Sequence, residues 1–397
     1  MLTKTSNTYV HFFSLAASHR VMQAVLTLFR GFDGWLFGGA MFLTLLGLVT
    51  MHTHVGDNFF FNRQLIWIGL AIVGMCLAMI PDYRFLRTGN LAFFGYVGIV
   101  GLLVLVLFIG EITLGAQSRF DLGLFSLQPS DPAKLMLIII LAKYFAKRHE
   151  LIGDFRHIVV SGIYAFLIFG LVFIQPDFGS AIILFFVWLG MILVAGIKLR
   201  HLLTVFVIGS TVFAMMWQFV FFDYQKARIA TFLDPLADIQ GAGYNAYQST
   251  VAVGAGQVLG RGVGYGTQSK FQFLPEYETD FIFAAYAEEW GLLGVTLLFT
   301  LFALVIWRLL KHASDAATNF ERLFAVGVAL LFISHFFVHI GMNIGLLPVT
   351  GTTVPFLSYG GSHLLTEFIA LGMVMGMRRY QSLSRAQLDE AAGIPFS

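Results

Sequence analysis

Apolar runs set off by short polar flanks recur along this chain. Their length, roughly 20 residues, is what a helix rising 1.5 Å per residue needs to cross a hydrocarbon core about 30 Å thick. Read against their flanks, these runs predict spans near residues 34–51, 65–80, 91–110, 133–146, 157–174, 179–197, 202–222, 281–310, 322–344 and 361–377. The fourth is short, as expected of a span that tilts or lies partly inside protein. Connections are brief except for residues 223–280, so the pattern favours one integral domain over two or three soluble ones. The expected architecture is an all-α polytopic membrane protein of about ten transmembrane helices, with a large extracytoplasmic loop between helices 7 and 8. The chain then divides into an N-terminal segment 1–33, a ten-helix membrane domain 34–378 and a C-terminal tail 379–397.

Composition agrees, with 58% hydrophobic and only 12% charged residues, where a soluble domain carries about 25% charged. A formal net charge of +2 gives no global field for nucleic acid. The single cysteine, Cys76, lies inside an apolar run, which excludes disulfides and thiolate clusters; it reads as a small buried hydrophobe. The distribution of charge matters more than its sum. With a cytoplasmic N-terminus, sixteen of the 24 lysines and arginines fall on the inner side, and only Arg63, Arg119, Lys226, Arg228, Arg261 and Lys270 on the outer. The positive-inside rule therefore expects a multi-pass protein of the cytoplasmic (inner) membrane with both termini cytoplasmic. Tyr9 to Ala17 could be a short signal-peptide core, but cleavage would leave that asymmetry unexplained, and an uncleaved N-terminal segment is the preferred reading.

Extracytoplasmic chemistry should be sought in the glycine-rich 223–280 loop, which is able to re-enter the membrane surface where protein lines a cavity. At its end Glu276, Glu278 and Asp280 precede Phe281, placing carboxylates where a wet loop meets hydrocarbon. Asp280, nearest the boundary, suits a general base for a sugar hydroxyl, and the plainer alternative is a helix N-cap. Basic residues are rare outside, so Arg119, Lys226 and Arg228 are candidates for clamping a pyrophosphate, against surface ion pairs or snorkelling to headgroups. Asp131 and Lys134 stand three apart at the start of the fourth span and suit an intrahelical ion pair; Lys134, just inside the membrane, is also a candidate partner for Asp280. Gln175 to Gly179 reads as a structural link.

Glu288, Glu289 and Glu367 fall within spans, where they either hydrogen-bond helices together or form a proton or ion path. His335 and His339 have the i, i+4 spacing of a metal pair, but no HExxH motif or companion carboxylate adjoins them. The glycines at 260–266 follow no strand and open no helix, and no Walker lysine motif is present, so a nucleotide site is unsupported.

Several motifs, in order, resemble the SEDS family (shape, elongation, division and sporulation), the membrane glycosyltransferases that include RodA and FtsW. They are GAQSRF at 115–120, QPSDPAKL at 128–135, QPDFGSA at 175–181, RIATFLDP at 228–235, GYNAYQS at 243–249, the stretch 260–294 containing FLPEYETDF, and GLLPVTGTTVPFLSYGGS at 345–362. The resemblance covers about 34–378, and GTQS before FLPE is more like the RodA branch. It implies ten spans and polymerisation of lipid II into β-1,4 glycan strands at the outer face of the cytoplasmic membrane, for cell elongation and rod shape. It implies a class B penicillin-binding transpeptidase as partner, with other elongation-complex proteins and membrane lipid. The family's essential aspartate matches Asp280, which reverses the capping preference. Its motif lysine matches Lys134, with Asp131 as acidic neighbour, and Arg119 and Arg228 match basic positions in outer motifs. Gln268, Glu276, Thr279 and Ser358 lie in the same motifs and join the expected substrate-binding set. Departures are Asp131-Pro132 for a usual Glu-Leu, Phe120 for Trp, Glu278 for a frequent His, and His339 for a frequent Asn.

On this reading Asp280 deprotonates the acceptor 4-hydroxyl, which attacks the donor anomeric carbon with inversion. Arg119, Arg228 and Lys226 neutralise the departing undecaprenyl pyrophosphate, and Lys134 orients Asp280. A divalent cation such as Mg2+ is compatible with that task, although no dedicated cage is visible and no other cofactor is implied. The rival readings are a flippase for the lipid-linked precursor, drawn from the intramembrane glutamates, and a non-catalytic scaffold for a transpeptidase.

Overall fold

The computed structural model describes residues 31–52, 58–113, 116–121, 123, 126–148, 154–221, 223–234, 243–271 and 273–391. Most of the expected N-terminal segment, with Tyr9 to Ala17, lies outside these, as do residues 235–242 of the outer loop and the end of the tail.

The helices are α1 (Gly34–His52), α2 (Phe59–Ala78), the short α3 (Arg84–Thr88), α4 (Leu91–Ile109), α5 (Ser130–Ala146), α6 (Phe155–Ile174), α7 (Phe178–Ala195) and α8 (Leu199–Phe219), then α9 (Asp223–Leu233), α10 (Tyr244–Ala255) and the single turn α11 (Thr267–Lys270), and last α12 (Ile282–Asp315), α13 (Asn319–Asn343) and α14 (Gly361–Ala391). Eight of them, α1, α2, α4, α6, α7, α8, α12 and α13, are long and apolar enough to cross a membrane. The other two expected spans are α5, at 17 residues, and the first half of α14. The strands β1 (Glu111–Thr113), β2 (Ala116–Asp121) and β3 (Ser126–Leu127) form a small antiparallel sheet between α4 and α5. Hydropathy does not announce it, because the strands are too short to alternate visibly.

Helix α5 can be short because protein surrounds it: Ala133, Leu137, Ile138, Leu141 and Ala142 are fully buried. It packs on α13, which also meets α7 and α12, while α14 lies along α2 and α1 along α12. The outer helices keep large apolar side chains on the surface, among them Phe206 and Phe219 on α8 and Phe108 on α4. A lipid-facing surface behaves this way, since lipid tails are as apolar as a protein core. Cys76 belongs to this class. It is exposed on α2, contrary to the buried position expected of it, because an apolar run in a membrane helix does not distinguish the face toward protein from the face toward lipid.

At one end of the bundle Asp33 caps α1, accepting from the N–H groups of Trp35 and Leu36 at 3.1 Å each. Its other oxygen accepts from Arg308 and lies 2.8 Å from His312. Burial opposes ionisation of this carboxyl, but the hydrogen bonds from His312 and Arg308 outweigh it and hold Asp33 below the usual carboxylate range.

At the other end α12 is broken at Gly291 (φ 62°, ψ −164°). The loop after α10 fills the break. Leu292 and Leu293 donate to the carbonyls of Gln257 and Val258 at 2.9 and 3.2 Å, while Arg261 and Gly262 donate to those of Glu288 and Glu289 at 2.9 and 3.0 Å. Two N–H groups and two carbonyls released by the kink thus find partners at a depth where water is scarce. The fit needs two glycines face to face. A Cβ on Gly260 (φ +78°) would sit 2.1 Å from the Glu289 carbonyl oxygen, and one on Gly291 would sit 2.2 Å from the Gly260 nitrogen. Gly260→Ala should therefore lose about 2 to 4 kcal/mol of stability through strain and overpacking, read as a lower melting temperature in detergent. Gly98→Ala, which meets nothing within 4 Å, serves as the control and should leave it unchanged.

Candidate active site

Residues 275–281 wind from the outer loop into α12 as consecutive turns. The Glu276 carbonyl accepts from the N–H groups of Thr279, Asp280 and Phe281 at 3.2, 3.0 and 3.2 Å, and Glu276 itself takes a left-handed φ of 53°. The hydroxyl of Thr279 donates to the Glu276 carboxylate at 3.1 Å. The N-cap position of α12 falls on Phe281, one residue past Asp280, and no side-chain capping hydrogen bond forms from that position.

Three successive carbonyls of this turn are pinned from outside it. Tyr359 N–H donates to Glu278 at 2.8 Å, Ser358 Oγ to Thr279 at 2.9 Å, and Asn343 Nδ2 to Asp280 at 3.0 Å. Asn343, fully buried, also accepts from Ala284 N–H at 3.2 Å and from Ser249 Oγ at 3.2 Å, so one amide ties the turn to α10, α12 and α13. Asp280 is half-buried, and its Oδ2 would lie 3.4 Å from a Cβ on Gly351 (φ +73°). That glycine supplies a backbone bend and leaves the carboxylate room.

The segment 350–359 that meets Asp280 is itself anchored. His335 Nδ1 lies 3.2 Å from the carbonyl of Thr353, and His339 Nδ1 2.6 Å from that of Thr352. A carbonyl only accepts, so both rings carry their proton on Nδ1. The i, i+4 histidines thus hold backbone. Among the described residues no three His, Cys, Asp or Glu side chains gather as a metal site.

On α5 the intrahelical pair forms: Lys134 Nζ lies 3.2 Å from Asp131 Oδ1, both buried. Asp131 Oδ2 accepts from Ser362 Oγ at 2.7 Å. Nearby, Asp177 caps α7 by accepting from Ser180 N–H at 3.0 Å and accepts from Gln128 Nε2 at 2.9 Å. The glutamine of the first QP motif is thereby joined to the aspartate of the second, in keeping with the structural reading of 175–179.

Glu288 and Glu289 anchor the loop above them. Glu288, fully buried, accepts from Thr267 N–H and Oγ1 at 2.8 and 2.9 Å and from Gln268 N–H at 3.2 Å, and Glu289 accepts from Gly264 N–H at 3.1 Å. Of the two readings offered for these glutamates, the contacts are those of interior hydrogen-bonded anchors. Gln268 is placed through its backbone. Arg119 is exposed on β2 opposite Glu111, and Lys226 is half-buried on α9. Arg228 is on α9 as well, with its side chain outside the described part.

Asparagine 343 and the His335/His339 pair are the residues that sequence reasoning did not assign to the site. Asn343 stands two residues ahead of the GLLPVTG motif, and that proximity was the available signal.

A helical bundle with a kinked helix, an outer loop folded back into it and a carboxylate-bearing turn at their junction defines a polytopic membrane protein with a polar site at that end of the bundle. The family model for the cell cycle proteins FtsW, RodA and SpoVE matches residues 26–383, and the chain belongs to that family. It is 36% identical over 326 residues to stage V sporulation protein E of Bacillus subtilis, covering 82% of this chain and 88% of that one. It is 38% identical over 288 residues to the peptidoglycan glycosyltransferase MrdB of Escherichia coli, covering 72% and 78%. Among solved structures it resembles a chain of a peptidoglycan synthase complex that coordinates polymerization and crosslinking (TM-score 0.76, 30% identity, 88% and 99% covered). It also resembles the rod shape determining protein RodA of Thermus thermophilus (TM-score 0.66, 28% identity, 88% and 97% covered).

Glu278 gives the turn a pH signature. Burial raises its pKa, and the hydrogen bond with Tyr277 offsets that only in part. A carboxyl that titrates higher folded than unfolded stabilises most when protonated, so its contribution is fully present below about pH 4.5, the unfolded value, and is lost as pH rises through the folded value. Glu278→Gln should therefore flatten the fall in melting temperature between pH 4.5 and neutrality.

Proposed function

We propose that this chain is a peptidoglycan glycosyltransferase of the cytoplasmic membrane that polymerises lipid II into β-1,4 glycan strands for cell elongation and rod shape. Membership of the family and the names of its relatives support the activity. The observation that carries the site is the Asp280 turn, pinned at three carbonyls while its carboxylate stays half-buried beside Gly351. Such a group stands within the protein yet is open enough to meet a headgroup, as a general base must be.

In the proposed step Asp280 takes the proton of the acceptor GlcNAc 4-hydroxyl. That oxygen forms the new bond to the donor MurNAc anomeric carbon, and the bond from that carbon to the pyrophosphate breaks with inversion. The undecaprenyl pyrophosphate leaves as an anion, so it needs neutralising charge more than a proton. Arg119, Lys226 and Arg228 are assigned that task. Lys134 acts from below, where its pair with Asp131 fixes a charge beside α14. Gln268, Glu276, Thr279 and Ser358 complete the set, with Ser358 and Thr279 shaping the turn, Gln268 tying its loop to Glu288 through the backbone, and Glu276 exposed on the outer side. The described residues gather no carboxylate cage, so no step is routed through a divalent cation such as Mg2+.

A class B penicillin-binding transpeptidase is the partner, and both termini are cytoplasmic. The flippase alternative loses its main support, since Glu288 and Glu289 are occupied by loop backbone.

Purified chain with its cognate transpeptidase, fed labelled lipid II, should yield glycan polymer on gels. Asp280→Asn, folded to the same melting temperature, should lower the rate about 100-fold or more, the contribution typical of a general base. Equal polymer from the variant would remove Asp280 from the chemistry.

A further inference from the structure

The four charges beneath the Asp280 turn include two that the proposed reaction does not use. His363, at the start of α14, faces a carboxylate at each ring nitrogen: Nδ1 lies 3.4 Å from Asp131 Oδ1, and Nε2 lies 3.0 Å from Glu367 Oε1. The second contact is a close ion pair outside hydrogen-bond alignment. We take the ring as imidazolium, the state in which it presents one N–H toward each carboxylate. Lys134 and His363 then balance Asp131 and Glu367, and the buried set is neutral. The remaining titratable neighbours are His335 and His339 of α13. The His335 ring lies 4.8 Å from that of His363, and both histidines are bound to loop carbonyls through Nδ1.

Contacts continue from this set to Asp280. Glu367 Oε2 accepts from Phe356 N–H at 2.9 Å, and Phe356 holds a left-handed φ of 65°, which side chains rarely adopt. Such a residue persists only where its surroundings over-determine it. Its N–H is held by Glu367 and its ring sits 5.0 Å from that of Phe332 and 5.6 Å from that of Phe368. Two and three residues later, Ser358 and Tyr359 hold the Thr279 and Glu278 carbonyls.

We propose that His363 and Glu367 are positioning residues for the reaction: a charge-balanced ion set with Asp131 and Lys134 that locks the Phe356 turn and, through Ser358 and Tyr359, fixes where Asp280 points. The proposal rests on reading Asp280 as the base.

The test uses the full chain with its transpeptidase and labelled lipid II, comparing wild type, His363→Gln, Glu367→Gln and the double variant. His363→Gln leaves two carboxylates against one ammonium. It should lower kcat about 30-fold with KM within about two-fold, as misplacement of a catalytic group does, and should lower the melting temperature. The double variant removes one charge of each sign and should recover kcat to within about three-fold of wild type, together with most of the melting temperature. Lost packing cannot produce that rescue. A His363→Gln chain with wild-type kcat, or a double variant no better than the single, overturns the proposal. A wild-type chain that makes no polymer overturns the polymerase reading instead; the melts then decide the charge coupling, and a double variant melting no higher than His363→Gln overturns it.

Discussion

A carboxylate at a membrane face can serve as a base only if the backbone carrying it is held still where little water is available to hold it. In this chain the turn that carries Asp280 is held by hydrogen bonds to three consecutive carbonyls, from Tyr359, Ser358 and Asn343. None of these donors comes from the turn itself. The backbone that carries Asp280 is thereby held by the segment 350–359 and by the end of α13.

Because lipid cannot satisfy polar groups, several of those inside the bundle act as fasteners for something else. Glu288 and Glu289 hold the glycine loop, His335 and His339 hold the 352–353 backbone, Asp177 joins two QP motifs, and Asp33 gathers Arg308 and His312 at the opposite end. Broken helix α12 follows the same logic, since its kink is stable only because loop backbone occupies the released groups. An outer loop that looks like an excursion in the sequence is therefore an internal part of the bundle.

Legibility in the sequence followed how local each cause was. The spans were readable from hydropathy because lipid imposes a length on any run that crosses it, and the Asp131–Lys134 pair was readable because three residues along a helix are always neighbours. Cys76 was misplaced because hydropathy carries no information on which face of a helix meets lipid. The sheet at 111–127 was missed because its strands are too short to show a period. The i, i+4 histidines had a metal pair's spacing without its companion ligands, and only the fold shows that their ring protons answer carbonyls on another segment.

The sequence by itself determined a helical membrane protein of many spans, the family motifs and the placing of a carboxylate cluster at a span boundary, all properties of composition and local order. Tertiary structure decided what holds the backbone of the turn that carries it: Asn343, Ser358 and Tyr359 donate to the carbonyls of Asp280, Thr279 and Glu278 from 63 or more residues away. It also decided that His363 lies between Asp131 and Glu367. Contacts of that range depend on how helices pack, and a single sequence does not carry packing in its periodicity.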